Sequence, residues 1–181
     1  MLVIHPRDKT TAMLSVLYEG QDAHRLDQDS SNKRIREALN RVSACERILL
    51  LGHGSDKGLL SREADGRDFD RLIVNHSHAF YLRKHPGNIV AIWCHADLFG
   101  RAEGLHGLFS GMIITELSEA LLYEVPTTGE ELACENDRLF RRLRALLDEG
   151  VPLREIPGRL QALDDARTPL TDFNYSHFYY L

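Results

Sequence analysis

Two residues capable of covalent chemistry stand at the ends of two apolar segments. His53 follows the run Ile48–Leu51 in the sequence ILLLGHG, and Cys94 ends the segment IVAIWC. Histidine has the unperturbed side-chain pKa that lies closest to neutral, so it is the usual group for moving protons. A thiol becomes a nucleophile when it loses its proton. The pair predicts nucleophilic catalysis in which His53 handles the proton of Cys94.

The segments that carry these two residues are typical of strands in a parallel sheet. Residues 46–52 and 88–94 are almost continuously apolar, as expected for strands covered by helices on both faces. Segments with helical periodicity alternate with them along the chain. We therefore predict one α/β domain over residues 1–181, a three-layer αβα sandwich with a mainly parallel sheet, and a helical C-terminal extension over about 128–181. If the two strands are neighbours, His53 and Cys94 face each other at the edge formed by the strands' carboxyl ends.

Further elements are predicted from turn residues and caps. In the first half of the chain we predict a strand at 2–5, a helix AMLSVLYE capped by Thr10 or Thr11, a weak strand near 22–27, and a helix SNKRIREALNRVSA capped by Ser30 or Ser31. A hairpin of GLLS and DRLIV around ADGR and a helix after Asn75 follow. In the second half we predict a strand at GMIIT, a helix from near Ser118, helices at about 130–148 and 153–165, and an aromatic tail, FNYSHFYYL, docked on the core.

Alternation along the second strand separates its core side chains from the nucleophile. Val90, Ile92 and Cys94 share one face, whereas Trp93 points to the other and is expected to pack in the core. Gly54 has no Cβ and would let a substrate carbonyl approach the backbone. The backbone N–H groups of Gly54 and Cys94 are therefore the predicted oxyanion donors.

The two blocks together resemble the caspase-like superfamily of cysteine peptidases, which includes caspases, metacaspases, gingipains and CHAT domains. The resemblance rests on ILLLGHG and IVAIWC, 41 residues apart from histidine to cysteine against about 50 in caspases, on the pair Cys94-His95, and on the glycine-punctuated run GLHGLFSGMIIT. It implies a caspase-like fold and a cysteine endopeptidase with a His-Cys dyad. The chain departs from the family pattern at Ile92-Trp93, where relatives carry an acidic or amide residue and then a small one. IHPRDKTT and IWCHAD also resemble an uncharacterised bacterial protein family.

Four charged residues are candidates for a substrate pocket at the same edge. Arg7 and Asp8 follow the first strand, Asp97 follows the nucleophile, and Glu116 follows the GMIIT segment. Asp97 and Glu116 would select a basic residue before the scissile bond, and Arg7 would select an acidic one. For each of them, plain solvent exposure is the alternative.

Two other classes of function remain open from the sequence. One is a binding module whose cysteine and histidine are idle, with Trp93 or the aromatic tail blocking the cleft. The other is a metal-dependent hydrolase using His76-x-His78 and Cys94-His95-x-Asp97, although this spacing matches no common zinc pattern and we predict no metal or other cofactor. Cys45 and Cys134 lack a neighbouring glycine and are interpreted as structural.

Composition limits the partners. A net charge of −5 without a basic block gives no support to nucleic acid or to an anionic membrane as partner. No apolar run approaches the roughly 20 residues that span a bilayer, and polar residues follow the fourth position, so neither a membrane segment nor a signal peptide is expected. Three cysteines without a CxxC pattern favour reduced thiols in the cytoplasm. The expected partner is a peptide or protein substrate.

Overall fold

The computed structural model describes residues 1–61, 69 and 71–181 of the chain. The described strands are β1 Leu2–Ile4, β2 His24–Leu26, β3 Ile48–Leu51, β4 Gly54–Ser55, β5 Gly58–Ser61, β6 Arg71–Val74, β7 Ile89–Ile92, β8 Gly107–Ser110 and β9 Phe178–Tyr180. The described α-helices are α1 Asn32–Arg41, α2 His76–Leu82, α3 Ala96–Glu103, α4 Leu117–Leu122, α5 Gly129–Asp148, α6 Ile156–Leu163 and α7 Pro169–Ser176, and a 3₁₀-helix covers Ala12–Leu17.

Six strands form the main sheet in the order β2-β1-β3-β7-β8-β9. The first five are parallel, and β9 pairs antiparallel with β8. The chain adds β2 on one side of β1 and then crosses to add β3 on the other, so the strand order reverses between β1 and β3. In open sheets of this kind, the crevice beyond the carboxyl ends of the strands at such a reversal is the usual ligand site.

Helices cover both faces of this sheet, as predicted. Odd and even positions of each core strand join different apolar clusters, because successive side chains point to opposite faces. In β3, Leu49 and Leu51 pack with the 3₁₀-helix, α5 and α6, whereas Ile48 and Leu50 pack with α1, α2 and α3. The α/β class and the mostly parallel sheet are thus confirmed, and no described helix is long and apolar enough to cross a membrane.

Local capping explains where several helices begin. The hydroxyl of Ser31 accepts the Arg34 N–H at 3.2 Å, and the Asn75 side chain accepts the Ser77 N–H at 2.9 Å. Both agree with the prediction. The predicted helix AMLSVLYE is a 3₁₀-helix over Ala12–Leu17, and its N-cap residue Thr11 makes no side-chain cap hydrogen bond.

A second, three-stranded sheet follows the carboxyl end of β3. β5 and β6 pair antiparallel, which confirms the hairpin, and the short strand β4 adds to the other side of β5. The predicted turn ADGR lies outside the described residues. This sheet begins immediately after His53, so the main-sheet strand β3 leads directly into it.

The predicted strand at GMIIT is wrong in position. The strand falls at β8, Gly107–Ser110, rather than at GMIIT, and residues 111–115 form an irregular segment. Two buried amides hold that segment: the Asn174 side chain accepts the Ile114 N–H at 2.8 Å, and the side chains of Asn136 and Asn174 both donate to the Ile114 carbonyl at 3.0 Å. The aromatic tail packs on the core, as predicted, and it also forms the C-terminal half of α7 and the edge strand β9.

Candidate functional site

His53 and Cys94 lie at matching positions beyond two neighbouring strands. β3 and β7 pair in parallel with Leu51 opposite Ile92, and the Gly52 N–H donates to the Ile92 carbonyl at 3.1 Å. His53 is two residues beyond Leu51, and Cys94 is two residues beyond Ile92. The adjacency that the sequence required of the two strands is confirmed.

Both residues line one narrow cleft at this edge. The lining residues are Thr11, Met13, Leu14, Gly52, His53, Ile92, Trp93, Cys94, Ile113, Thr115 and Phe140. The open space is about 20 Å³, which is little more than one water molecule requires. Among these described residues, the walls are mainly apolar and the groups able to move a proton are concentrated at His53 and Cys94.

The Cys94 thiol is held in its protonated form. Burial raises its pKa to about 11, the negative charges of Glu119 and Glu116 add to the increase, and contact with the Ile113 backbone opposes it. No hydrogen bond joins the side chains of Cys94 and His53, and the His53 ring bonds to Thr10 instead. The resting site therefore contains a thiol beside an imidazole, not a preformed thiolate.

The carboxylate of Glu119 has a fixed position near this thiol. Its Oε2 accepts the backbone N–H groups of Thr115 at 2.7 Å and Glu116 at 3.1 Å, and it also accepts the Thr115 hydroxyl at 3.2 Å. Thr115 itself lines the cleft. Glu119 was not predicted from the sequence, because its approach to Cys94 depends on the irregular course of residues 111–115.

A sharp turn presents Cys94 between β7 and α3. His95 has φ 68°, in the left-handed region that a side chain with a Cβ disfavours, and it is the N-cap residue of α3. The strain is held by hydrogen bonds: the His95 N–H donates to the Gly111 carbonyl at 3.2 Å, and the Ser110 hydroxyl both accepts the Trp93 N–H at 3.0 Å and donates to the Trp93 carbonyl at 2.8 Å. Strained backbone of this kind is concentrated at functional sites.

Gly54 has a packing role that the sequence analysis did not foresee. A Cβ at this position would lie 2.1 Å from Cδ1 of Trp93 and 2.6 Å from the Gly58 carbonyl oxygen. The Trp93 ring is buried there, and its Nε1–H donates to the Ser55 carbonyl at 3.0 Å. The space beside Gly54 is filled by the indole, so it is not open to a substrate carbonyl, and Gly54 is not one of the described residues lining the cleft. The expected core position of Trp93 is confirmed.

Residues outside the lining of the cysteine cleft hold the ring of His53. Its Nε2 lies 2.6 Å from the Thr10 hydroxyl and 3.9 Å from Oδ1 of Asp8, and its ring lies 4.9 Å from the ring of Phe69. Asp8 was predicted as a pocket residue, and its side chain is only 5% exposed. Thr10 was predicted as a helix cap, and here its hydroxyl contacts the histidine instead. The sequence signal for this contact is the placement of Asp8 and Thr10 just after β1, at the strand-order reversal.

The remaining candidates for a substrate pocket lie outside the cleft that contains Cys94. The Arg7 guanidinium pairs with Asp29 and, at 3.4 Å, with Asp27. Asp97 lies 3.8 Å from Nε of Arg101 in the same helix. Glu116 is exposed at the start of α4. None of Arg7, Asp97 and Glu116 is among the described residues lining the cleft of Cys94. Arg7 and Asp8 line an adjoining crevice that His53 also lines.

The other histidines and cysteines occupy separate environments. His76 is exposed and bonds to the Glu103 carboxylate at 2.8 Å, whereas His78 is buried and accepts the Asn75 N–H at 3.2 Å. Within the described part of the chain, no group of three or more His, Cys, Asp or Glu side chains is placed to hold a metal ion. Cys45 and Cys134 are exposed, and neither lines the cleft of Cys94.

Comparison with known proteins gives no further assignment: no protein-family model matches the chain, and neither curated proteins nor solved structures include a match.

Proposed function

We propose that this chain is a cysteine endopeptidase of the caspase-like type, with Cys94 as nucleophile and His53 as general base and acid. The observation that carries the proposal is the shared cleft of His53 and Cys94 at matched ends of adjacent parallel strands. The strained turn at His95, the residue after Cys94, supports it, because strained backbone is concentrated at functional sites. Three free cysteines suit the reducing cytoplasm in which we expect the protein to act.

The reaction begins when Sγ of Cys94 attacks the carbonyl carbon of a peptide bond and its proton passes to His53. The carbonyl oxygen becomes an oxyanion, and the backbone N–H of Cys94 is the proposed donor to it; the space beside Gly54 is filled by the Trp93 indole, so the second donor expected from the sequence has no part in the proposal. The intermediate collapses to a thioester as His53 returns the proton to the departing amine. Water then adds to the thioester, again losing a proton to His53, and the acid product leaves as the thiol is restored.

The high pKa of Cys94 determines when the proton moves. With a pKa of about 11, the resting thiol is almost fully protonated near neutral pH. His53 must then remove the proton during the attack, since no thiolate is stored beforehand. Loss of His53 should consequently affect the chemical step more than it affects substrate binding.

The charges around Cys94 favour a substrate with a basic residue before the scissile bond. Glu119 and Glu116 act on the thiol from one side of the cleft. A lysine or arginine side chain placed near them would gain a partner and would also offset the charge that disfavours the thiolate. Arg7 is already paired with two aspartates, which weakens the alternative preference for an acidic residue.

The proposal is tested with a fluorogenic peptide library and the variant Cys94→Ala. We expect cleavage after lysine or arginine by the wild type and none by Cys94→Ala, with an unchanged circular dichroism spectrum. Cleavage that persists in Cys94→Ala would refute the nucleophile. Cleavage after aspartate would leave the nucleophile in place and overturn the role of the two glutamates.

A second candidate function is a binding module with an idle dyad. The raised pKa of Cys94 and the small volume of the cleft favour it, because neither suits a site open to a peptide. The aromatic tail does not support it: Tyr179 pairs within the sheet opposite Phe109, away from the lining of the cleft. A library without any cleaved peptide, together with no labelling of Cys94 by a peptidyl electrophile, would select this function.

A further inference from the structure

The segment between β1 and the 3₁₀-helix, residues 5–11, contacts the proposed base but has no role in the mechanism above. Its sequence, HPRDKTT, places Thr10 and Asp8 against one nitrogen of His53. The crevice between this segment, β5 and His53 adjoins the cysteine cleft but is separate from it.

Hydrogen counting decides which nitrogen of His53 carries a proton. The Thr10 hydroxyl has one hydrogen, and it donates that hydrogen to Oδ1 of Asp8 at 2.7 Å, since an ionised carboxylate can only accept. The same hydroxyl lies 2.6 Å from Nε2 of His53, so it must accept there. Nε2 is then the protonated nitrogen, and in the neutral ring Nδ1 carries the free lone pair.

The free nitrogen is the one that is able to accept a proton. Nδ1 of His53 makes no hydrogen bond to any described residue, and the ring lines the cleft that contains Cys94. When Nδ1 takes a proton, the ring becomes a cation whose Nε2 lies 3.9 Å from Oδ1 of Asp8. The low exposure of both side chains, 19% for His53 and 5% for Asp8, reduces solvent screening of that attraction.

The contacts of the segment fix the position of Thr10. The Thr10 N–H also donates to Oδ1 of Asp8, at 2.9 Å, which closes a local turn. The partly buried ring of His5 lies 3.4 Å from the hydroxyl of the neighbouring Thr11 and 3.0 Å from the Tyr18 hydroxyl. Thr10 is therefore bound to a carboxylate on one side and anchored by its neighbour on the other.

We propose that Thr10 and Asp8 are positioning residues for His53, which hold it in the Nε2–H tautomer with Nδ1 as the base and stabilise the imidazolium formed in the reaction. The inference rests on the proposed function, because it assigns a role to the base of that mechanism. Its structural half, the tautomer, can be measured whether or not the protein turns over a peptide.

The test compares Thr10→Val, which keeps the shape but loses the hydroxyl, with Thr10→Ser, which keeps the hydroxyl. Long-range proton–nitrogen NMR correlations of the unliganded protein report the tautomer of His53, assigned by the loss of its signals in His53→Ala. We expect the Nε2–H tautomer in the wild type and in Thr10→Ser, and a mixture in Thr10→Val. An Nδ1–H ring in the wild type, or an unchanged tautomer in Thr10→Val, would overturn the inference.

Kinetics provide the second measurement. Turnover by Thr10→Val should fall by about a hundredfold, the lower end of the range contributed by a general base, while Thr10→Ser stays within a few fold of the wild type. Asp8→Asn should shift the acidic limb of the pH–rate profile to lower pH, because the imidazolium loses a nearby negative charge. Equal losses in Thr10→Ser and Thr10→Val would contradict a role for the hydroxyl. Absence of turnover in the wild type, with the tautomer pattern as expected, would refute the peptidase and leave the positioning of His53 supported.

Discussion

The acidity of Cys94 can be tested by alkylating its thiol over a range of pH. Burial and the charges of Glu119 and Glu116 raise its pKa from 9.0 to about 11. Two pKa units correspond to about a hundredfold smaller thiolate population near neutral pH. A more basic thiolate is also a stronger nucleophile, by about tenfold over the same two units, so the net loss of rate is about tenfold. The position of the pH inflection is consequently a sharper readout than the rate at one pH.

The assay uses iodoacetamide and mass spectrometry in a protein whose exposed cysteines carry Cys45→Ser and Cys134→Ser, so that only Cys94 reacts. The logarithm of the alkylation rate should increase with unit slope from pH 7 to pH 10 without levelling. Glu119→Gln should move the profile to lower pH, because the amide oxygen can still accept the backbone N–H groups while the charge is lost. Glu130→Gln, at an exposed position in the first turn of α5, is the matched control and should leave the profile unchanged. A plateau at or below pH 9 in the protein that retains Glu119 would refute a pKa of about 11 for Cys94.

Three further predictions concern the parts of the fold that hold the site. Gly54→Ala should destabilise the protein by about 1–3 kcal/mol or more in urea unfolding, because its Cβ would overlap the indole ring of Trp93. Gly158→Ala, in a helix with open space around it, is the control and should stabilise by about 0.5–1 kcal/mol; equal effects of the two substitutions would contradict the packing argument. Asn174→Leu should cost about 1–3 kcal/mol, because the Ile114 N–H loses its acceptor while Asn136 still donates to the Ile114 carbonyl, and a loss under 1 kcal/mol would show that the hydrogen bond to the N–H is dispensable. Burial lowers the pKa of His5 to about 4, below the unfolded value near 6.5, so the free energy of unfolding is highest above pH 6.5 and falls as the pH decreases toward 4. Between pH 8 and pH 5 the loss amounts to about 2 kcal/mol, and His5→Gln should reduce the pH dependence of unfolding by that amount.

The position of His53 and Cys94 at one edge of the sheet was predictable, because it depends on the local apolar pattern and on which strands are neighbours. Two uninterrupted apolar runs in one α/β chain are parallel core strands, and their carboxyl ends share an edge. Alternation along β7 then separates Trp93 from Cys94 without any knowledge of the partners. Caps such as Ser31 and Asn75 are equally local, since the side chain bonds to a backbone group two or three residues away.

What the sequence did not reveal depends on partners distant along the chain. Residues 111–115 are rich in isoleucine and look like a strand, but amides from α5 and α7 take their backbone hydrogen bonds. That irregular course brings Glu119 near Cys94, where its negative charge adds to the effect of burial, the main reason that the pKa of Cys94 is raised to about 11. Gly54 was assigned to substrate approach, because nothing local indicates that the indole of Trp93 fills its place.

The central claim is that His53 removes the proton of Cys94, and a peptidyl electrophile with a basic residue at its reactive end tests it most directly. Labelling of Cys94 is measured from pH 6 to pH 10 in the wild type and in His53→Ala, with iodoacetamide as the reagent that needs no positioned base. At pH 7 we expect the wild type to react with the peptidyl reagent at least a hundredfold faster than His53→Ala, since a general base contributes about 10²–10⁴ in rate. The two proteins should converge toward pH 10, as the thiol begins to ionise unaided. Profiles that coincide at every pH would contradict the claim and leave Cys94 without a catalytic partner.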